Sequence, residues 1–187
     1  MAASDSTSSF PPAPPGAFDW PRASELDERM SEEIARAERH GTQLSCLLVV
    51  VDNLEQMAGE HGGELREQTM AYIAGALRRE LRSFDRVGMP SDSELLIVLP
   101  GADGPRGEIV ARRVLDRLRA IKVEARGQRQ ALRISVGLAA WWPQATPATM
   151  LARARAAAER LTNGAPEPGP AGGVSADAEE GSTAPPS

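Results

Sequence analysis

The sequence predicts an α/β (α+β) domain in which a central mixed sheet carries helices on both faces. Three features lead to that expectation. The runs Leu44–Val51 and Glu94–Leu99 are almost wholly apolar over strand length, as strands covered on both sides are. Segments with helical spacing of apolar residues stand before, between and after them. A chain of 187 residues, 41% hydrophobic, has enough apolar side chains for one domain core. Strands of this kind, alternating with covering helices, are expected to form a sheet sealed by helical layers.

Pro21 to His40 reads as the first helix. Pro21 suits a first turn, Glu25, Asp27 and Glu28 complement the positive end of the dipole, and Leu26, Met30, Ile34 and Ala37 share one face before His40-Gly41 ends it. Leu44–Val51 is a buried strand, broken by Asp52-Asn53. A short helix Leu54–Glu60 and the turn His61-Gly62-Gly63 lead to a long helix from Glu64 to about Leu81, with Met70, Ile73, Leu77 and Leu81 as its apolar stripe. A β-hairpin follows, with strands Arg86–Met89 and Glu94–Leu99, a turn at Pro90–Ser93 and a stop at Pro100-Gly101. Beyond the loop Ala102–Gly107, a helix Glu108–Ile121 turns Val110, Val114, Leu118 and Ile121 inward. A second hairpin pairs Lys122–Ala125 with Arg129–Ala140, where Leu132, Ile134, Val136 and Leu138 alternate with Arg133, Ser135 and Gly137. A last helix runs from Thr146 or Pro147 to about Leu161. The order is αβααββαβ(β)α.

Residues 1–20 and 163–187 are rich in Pro, Gly, Ser, Thr and Ala and are expected to be disordered, which leaves 21–162 as the folded domain. Phe18 and Trp20 are the exceptions and are expected to dock ahead of the first helix. The net charge of −5 arises in the tails, and residues 21–162 hold one more basic than acidic residue. Lys122 is the lone lysine; the other 20 basic residues are arginine, whose fork suits guanine and phosphate, although a GC-rich genome yields the same excess. No apolar run is long enough to span a membrane and Met1–Phe18 lacks the pattern of a secretion signal, so a cytoplasmic location is expected. Cys46, the single cysteine, reads as a buried reduced thiol, and neither His40 nor His61 reads as a metal ligand. Trp141-Trp142-Pro143 is expected to pack against the Phe18–Trp20 segment or to form a contact patch. Arg153, Arg155 and Arg160 read as a solvated helix face, with too few interleaved aromatics for a nucleic-acid surface.

The hairpin Arg86–Leu99, set between two long helices and closed by Pro-Gly, resembles the signature hairpin of the diguanylate cyclase family, the GGDEF domains of bacterial signalling. Arg36–Ser45, Val51–Met57 and Ile134–Ala139 also resemble family segments, so that the likeness covers roughly residues 20–162. It implies the palm-like fold of nucleotidyl cyclases. Laid on the family, the five signature positions are Ser91, Asp92, Ser93, Glu94 and Leu95, of which only Glu94 matches. Val50 stands where the family has its first metal-binding aspartate, Ser93 where it has an acid, and Ser91 and Asp92 where it has paired glycines. Ala58 replaces the guanine-reading asparagine and Glu67 the following aspartate, while Arg155, Glu159 and Thr162 fall where Asp, Tyr and Lys are usual. Magnesium needs hard anionic oxygens, so the resemblance implies a domain without catalytic residues, metal or cofactor. Asp52 and Glu94 remain as a pair able to share a cation, or as ordinary strand-end carboxylates.

Arg82 and Asp85, with two residues between them, fall in the register of the family's RxxD motif, which binds cyclic di-GMP and restrains the enzyme. Arg113 falls on the second arginine of that site, and Arg78, Arg79 and Arg86 are near in sequence. Guanidinium takes guanine O6 and N7 or a phosphate with two hydrogen bonds, and a carboxylate accepts from guanine N1–H and N2–H. A bare RxxD also arises by chance in an arginine-rich chain, as Arg113–Asp116 does, and then makes only a surface ion pair. The expected function is an inactive regulatory domain that binds cyclic di-GMP, as a stacked dimer bridging two domains where it does so. A dimerisation or protein-interaction scaffold is the alternative.

Overall fold

The computed structural model describes residues 20–125 and 127–162. The disorder expected at the two ends therefore falls, apart from Trp20, outside the described residues, as do Phe18 and the side chains of Arg160 and Thr162. The elements are α1 (Ala23–His40), β1 (Leu44–Val51), α2 (Leu54–His61), α3 (Gly63–Glu80), β2 (Arg86–Ser91), β3 (Glu94–Pro100), α4 (Gly104–Arg119), β4 (Lys122–Ala125), β5 (Gln128–Ala131), β6 (Ile134–Ala140) and α5 (Pro147–Thr162).

The main sheet has the order β2-β3-β1-β6. Its ladders are antiparallel rather than mixed, and the parallel component among the described residues is a single bridge between Arg22 and Met89. Alternate residues of the central strands feed two cores, which is why β1 and β3 are apolar along their length. Leu47, Val49 and Val51 join Leu95, Ile97 and Leu99 beneath α2, α3 and α4. Cys46 and Leu48 join Leu96 and Val98 against Met30 and Ile34 of α1 and Met150 and Ala154 of α5. Each buried Leu, Ile, Val or Met among these contributes about 1.5–3 kcal/mol. Cys46 lies within this layer at 0% exposure, and burial pushes its thiol up to about 12, so it is a packing residue. Among the described residues no helix is long and apolar enough to cross a membrane.

The structure corrects four local expectations. Helix α4 begins at Gly104, before the expected Glu108, because the Asp103 carboxylate accepts from the Arg106 backbone N–H at 2.9 Å and Pro105 lies in the first turn. The segment Arg129–Ala140 is two strands, not one. Asn53 causes the break: its amide donates to the Ala131 carbonyl at 3.0 Å and accepts from Arg133 N–H at 2.9 Å, taking the groups a continuous ladder would use. The first hairpin turn tightens to Asp92-Ser93, since Ser91 pairs with Glu94 across an irregularity that includes Pro90, which has no N–H to give. Trp141 and Trp142 pack on the α1/α5 side, while Trp20 packs against Ala71 and Ala74 of α3, so the expected contact between these tryptophans is not made.

Helix α5 lies very close to β6. A Cβ on Gly137 would stand 1.9 Å from the Ala154 carbonyl oxygen and 2.5 Å from the Ala158 nitrogen, both rigid backbone. Gly137→Ala is therefore expected to destabilise the domain by about 1–3 kcal/mol or more through overpacking. Urea denaturation measures this directly; an unchanged midpoint would mean that α5 can ride outward at no cost.

Candidate functional site

Two places in the fold gather the residues that the sequence singles out. The first is the tip of the β2–β3 hairpin. Val50 is directly opposite both Glu94 on β3 and Ser135 on β6, so the three side chains form a row on the α5 face of the sheet. Ser93 is close by, its carbonyl accepting from Val51 N–H at 3.0 Å, while Leu95 points to the other core. Asp52, just past β1, accepts from the Ser135 hydroxyl at 2.7 Å. Val50, Asp52, Glu94 and Ser135 line a pocket of about 240 Å³ with Arg155, Ala158 and Glu159 of α5.

Arg155 closes that pocket chemically. Its Nε and Nη2 donate to the two carboxylate oxygens of Glu94 at 2.8 and 2.7 Å, a bidentate pair. The expected solvated face of α5 is thus corrected at two positions: Arg155 is paired, and Arg153 stacks over the Trp142 ring at 4.9 Å. On the other side of the turn, Asp92 accepts from Arg22 at 2.9 Å, with both side chains exposed. Ala58 is buried, and Glu67 lines a groove with Arg66, Met70 and Met89. Magnesium takes several hard oxygens in near-octahedral array. The row offers a hydrocarbon at Val50, a carboxylate at Glu94 with both oxygens engaged by Arg155, and Asp52 already accepting from Ser135. This donor set does not fit the ion. Among the described residues, no three of the types His, Cys, Asp and Glu come together as a metal group.

The second place is the end of α3. Leu81 leaves the helix in extended conformation, and the next residues fold into a tight turn in which Arg82 N–H donates to the Asp85 carboxylate at 2.8 Å and Asp85 N–H donates to the Arg82 carbonyl at 3.1 Å. The Arg82 guanidinium lies 5.6 Å from the centre of the exposed Phe84 ring and enters no ion pair among the described residues. Arg82, Asp85 and Arg113 line one groove of about 340 Å³, with Arg106, Ile109 and the Pro100-Gly101 turn. Arg113 is tied to α3 from the side: Nη2 donates to the Glu80 carbonyl at 2.6 Å and Nε lies 3.2 Å from its carboxylate. Burial raises the Asp85 carboxyl above the usual aspartate range, against the lowering influence of the Arg82 backbone N–H and of the Arg82 and Arg113 charges.

An antiparallel sheet between helical layers thus carries a polar row at a hairpin tip and an arginine-lined groove at a helix end. The chain belongs to the GGDEF domain family: the family described as "Diguanylate cyclase, GGDEF domain" matches residues 22–165. It is 25% identical over 121 residues to diguanylate cyclase DgcP of Pseudomonas aeruginosa, covering 65% of this chain and 18% of that one. To diguanylate cyclase DosC of Escherichia coli it is 32% identical over 108 residues, covering 57% and 24%. The chain thus spans less than a quarter of the length of these relatives. Among solved structures, the Pseudomonas aeruginosa diguanylate cyclase SiaD, in complex with its activator SiaC, superposes with TM-score 0.73 at 27% identity, covering 80% of this chain and 57% of that one. The GGDEF domain of DgcB from Caulobacter crescentus, in complex with c-di-GMP, has TM-score 0.73 at 16% identity, covering 83% and 92%; it attests the fold alone.

The Arg155 to Glu94 pair has a pH signature. Hydrogen bonding from Arg155 outweighs burial and holds the Glu94 carboxyl below its ordinary range. Because the folded value is depressed, the pair stabilises the fold above the ordinary glutamate range and loses that contribution as pH falls through the lowered value. Arg155→Ala is expected to cost about 1–2 kcal/mol at neutral pH, less than a buried pair would, since Arg155 is partly exposed. The gap between variant and wild type should narrow from neutral pH to an acidic pH below the lowered Glu94 value. Denaturation at the two pH values tests this, and a gap that does not change with pH would rule the pair out as a stabilising contact.

Proposed function

We propose that this domain is a catalytically inactive member of its family that binds cyclic di-GMP through Arg82, Asp85 and Arg113. The observation that carries the reading is a contrast between the two places. At the hairpin tip the remaining signature carboxylate, Glu94, is neutralised by an arginine of the same chain. At the end of α3, Arg82 and Asp85 share one groove with the distant Arg113, and the Arg82 guanidinium is in no ion pair among the described residues.

The chemistry suits a guanine nucleotide. Arg82 would take the guanine O6 and N7 edge or a phosphate, Asp85 would accept from N1–H and N2–H with the carboxylate oxygen not engaged by the backbone, and Arg113 would meet the phosphate. The neighbours named as diguanylate cyclases bear on the fold and ancestry; their activity is not carried over, because in the family register given above Val50, Ser91, Asp92 and Ser93 stand where carboxylates and glycines are expected to handle magnesium triphosphate. A second reading, a scaffold that works by protein contact, draws on Phe84 and Ile109. These are the large exposed apolar residues among those described, at 46% and 65% exposure, and Ile109 lines the Arg82 groove.

Calorimetric titration separates the readings. Cyclic di-GMP is expected to bind in the micromolar range or better, with Arg82→Ala costing about 1.5–3 kcal/mol, the scale of a charged hydrogen bond. Affinity should fall as pH is lowered through the raised Asp85 value, since a protonated carboxyl no longer accepts from both guanine donors. Absence of heat at high ligand concentration would leave the scaffold reading. Incubation with GTP and magnesium is expected to give no cyclic product, and product above background would overturn the claim of inactivity.

A further inference from the structure

Beyond the Arg82 groove, a second group of cations gathers where four elements meet. Arg79 of α3, Arg117 of α4, Lys122 of β4 and Arg129 of β5 line a depression of about 460 Å³ together with Tyr72 and Ile121. The β4–β5 hairpin is not laddered to the main sheet; Val123 anchors it in the core, and strand alternation turns Lys122 to the opposite face. Glu124 stands across the ladder from Arg129 and shares that face, yet no ion pair among the described residues joins them. Arg79 and Lys122 are likewise in no ion pair among the described residues. Arg117 has only a 3.7 Å contact with Glu80, whose carboxylate it shares with Arg113. Like charges brought together by four separate elements repel, and neutralisation by an anion relieves that repulsion.

We infer that this depression binds a nucleotide, with the phosphate chain on the four cations and the planar base against Tyr72 and Ile121. Three properties select that class. Arginine forks match phosphate oxygens two at a time, and three arginines with a lysine suit a chain of phosphates better than a single carboxylate. An aromatic and an aliphatic side chain lie among the charges, the combination on which a base stacks. The volume falls in the range of small-molecule sites, and too many charges converge for an apolar ligand. The inference stands on this geometry and is independent of the cyclic di-GMP reading.

Tyr72 is the only tyrosine of the chain, so selective tyrosine ring labelling gives a resonance that reports on this depression alone. Metal-free ATP and inorganic tripolyphosphate would be titrated into the full chain, into Arg82→Ala and into the double variant Arg79→Gln/Arg129→Gln. The expected result is a saturable Tyr72 shift with ATP that Arg82→Ala leaves unchanged. The double variant, whose substituted side chains are exposed, should retain its fold and lose about tenfold or more in affinity, the scale of one or two charged hydrogen bonds. Tripolyphosphate should bind several-fold more weakly than ATP. An unmoved Tyr72 at millimolar ATP, unaltered affinity in the folded double variant, or equal binding of tripolyphosphate would overturn the proposal. So would far tighter binding of a single-stranded oligonucleotide, which would identify an extended nucleic-acid surface instead.

Discussion

Helix α5 can lie against β6 as closely as it does only because residue 137 has no side chain, and much of the hairpin-tip chemistry depends on that approach. Ala154, Ala157 and Ala158 keep the facing side of α5 shallow, so backbone meets backbone where a larger residue would hold the layers apart. Arg155 follows Ala154 directly and thereby reaches across to β3, where it meets Glu94 with both ends of its fork. The ion pair is thus a consequence of packing as much as of charge. Lifting the helix by the thickness of one methyl group would lengthen both hydrogen bonds beyond their useful range.

The domain uses arginine in two opposed ways, and the difference is one of compensation. Arg155 spends its charge on a mostly buried carboxylate, 12% exposed in its side chain, and both partners have satisfied hydrogen bonds. Arg82 does the reverse. Its own backbone N–H holds Asp85 in a closed turn, which fixes the spacing of the motif without consuming the guanidinium. Glu33 offers a third arrangement, a 5% exposed carboxylate on α1 with Arg36 and Arg86 at 3.5 and 3.7 Å, which ties the first helix to β2. Paired charges of this kind shape the fold, and the Arg82 guanidinium is left for the ligand chemistry proposed above.

What could be read from the sequence and what could not follow the same division between local and distant interactions. The strands Leu44–Val51 and Glu94–Leu99 and the stripes on α3 and α4 were legible because burial on two faces or one stripe is written in consecutive residues. The split between β5 and β6 was not, since the residue responsible, Asn53, is 78 positions from the Ala131 carbonyl it takes. The early start of α4 is signalled locally, by Asp103 as a cap and Pro105 in the first turn, against the expectation of a loop. For the candidate site, family register placed Val50, Glu94 and Arg155 in one neighbourhood, and Arg82, Asp85 and Arg113 in another, as the structure also arranges them. The pairing of Arg155 with Glu94 was missed although its signal was present: an arginine standing where a carboxylate is usual, on a helix facing the one signature acid that remains.

The contacts of Arg113 bear on whether the proposed groove can open to a ligand. Its guanidinium is half exposed and leans on Glu80, so any guanine or phosphate must compete with an existing partner. An exposed ion pair of this type is worth about 0–1 kcal/mol, because water screens it and both side chains lose freedom in making it. A bidentate, charge-assisted bond to phosphate is worth about 1.5–3 kcal/mol, so a ligand that makes one can displace the Glu80 carboxylate. Glu80 then has Arg117 as its remaining partner, at 3.7 Å in the present arrangement. Were both proposed grooves occupied, release of Glu80 by Arg113 would leave that carboxylate to Arg117 and so weaken what Arg117 offers to the neighbouring depression.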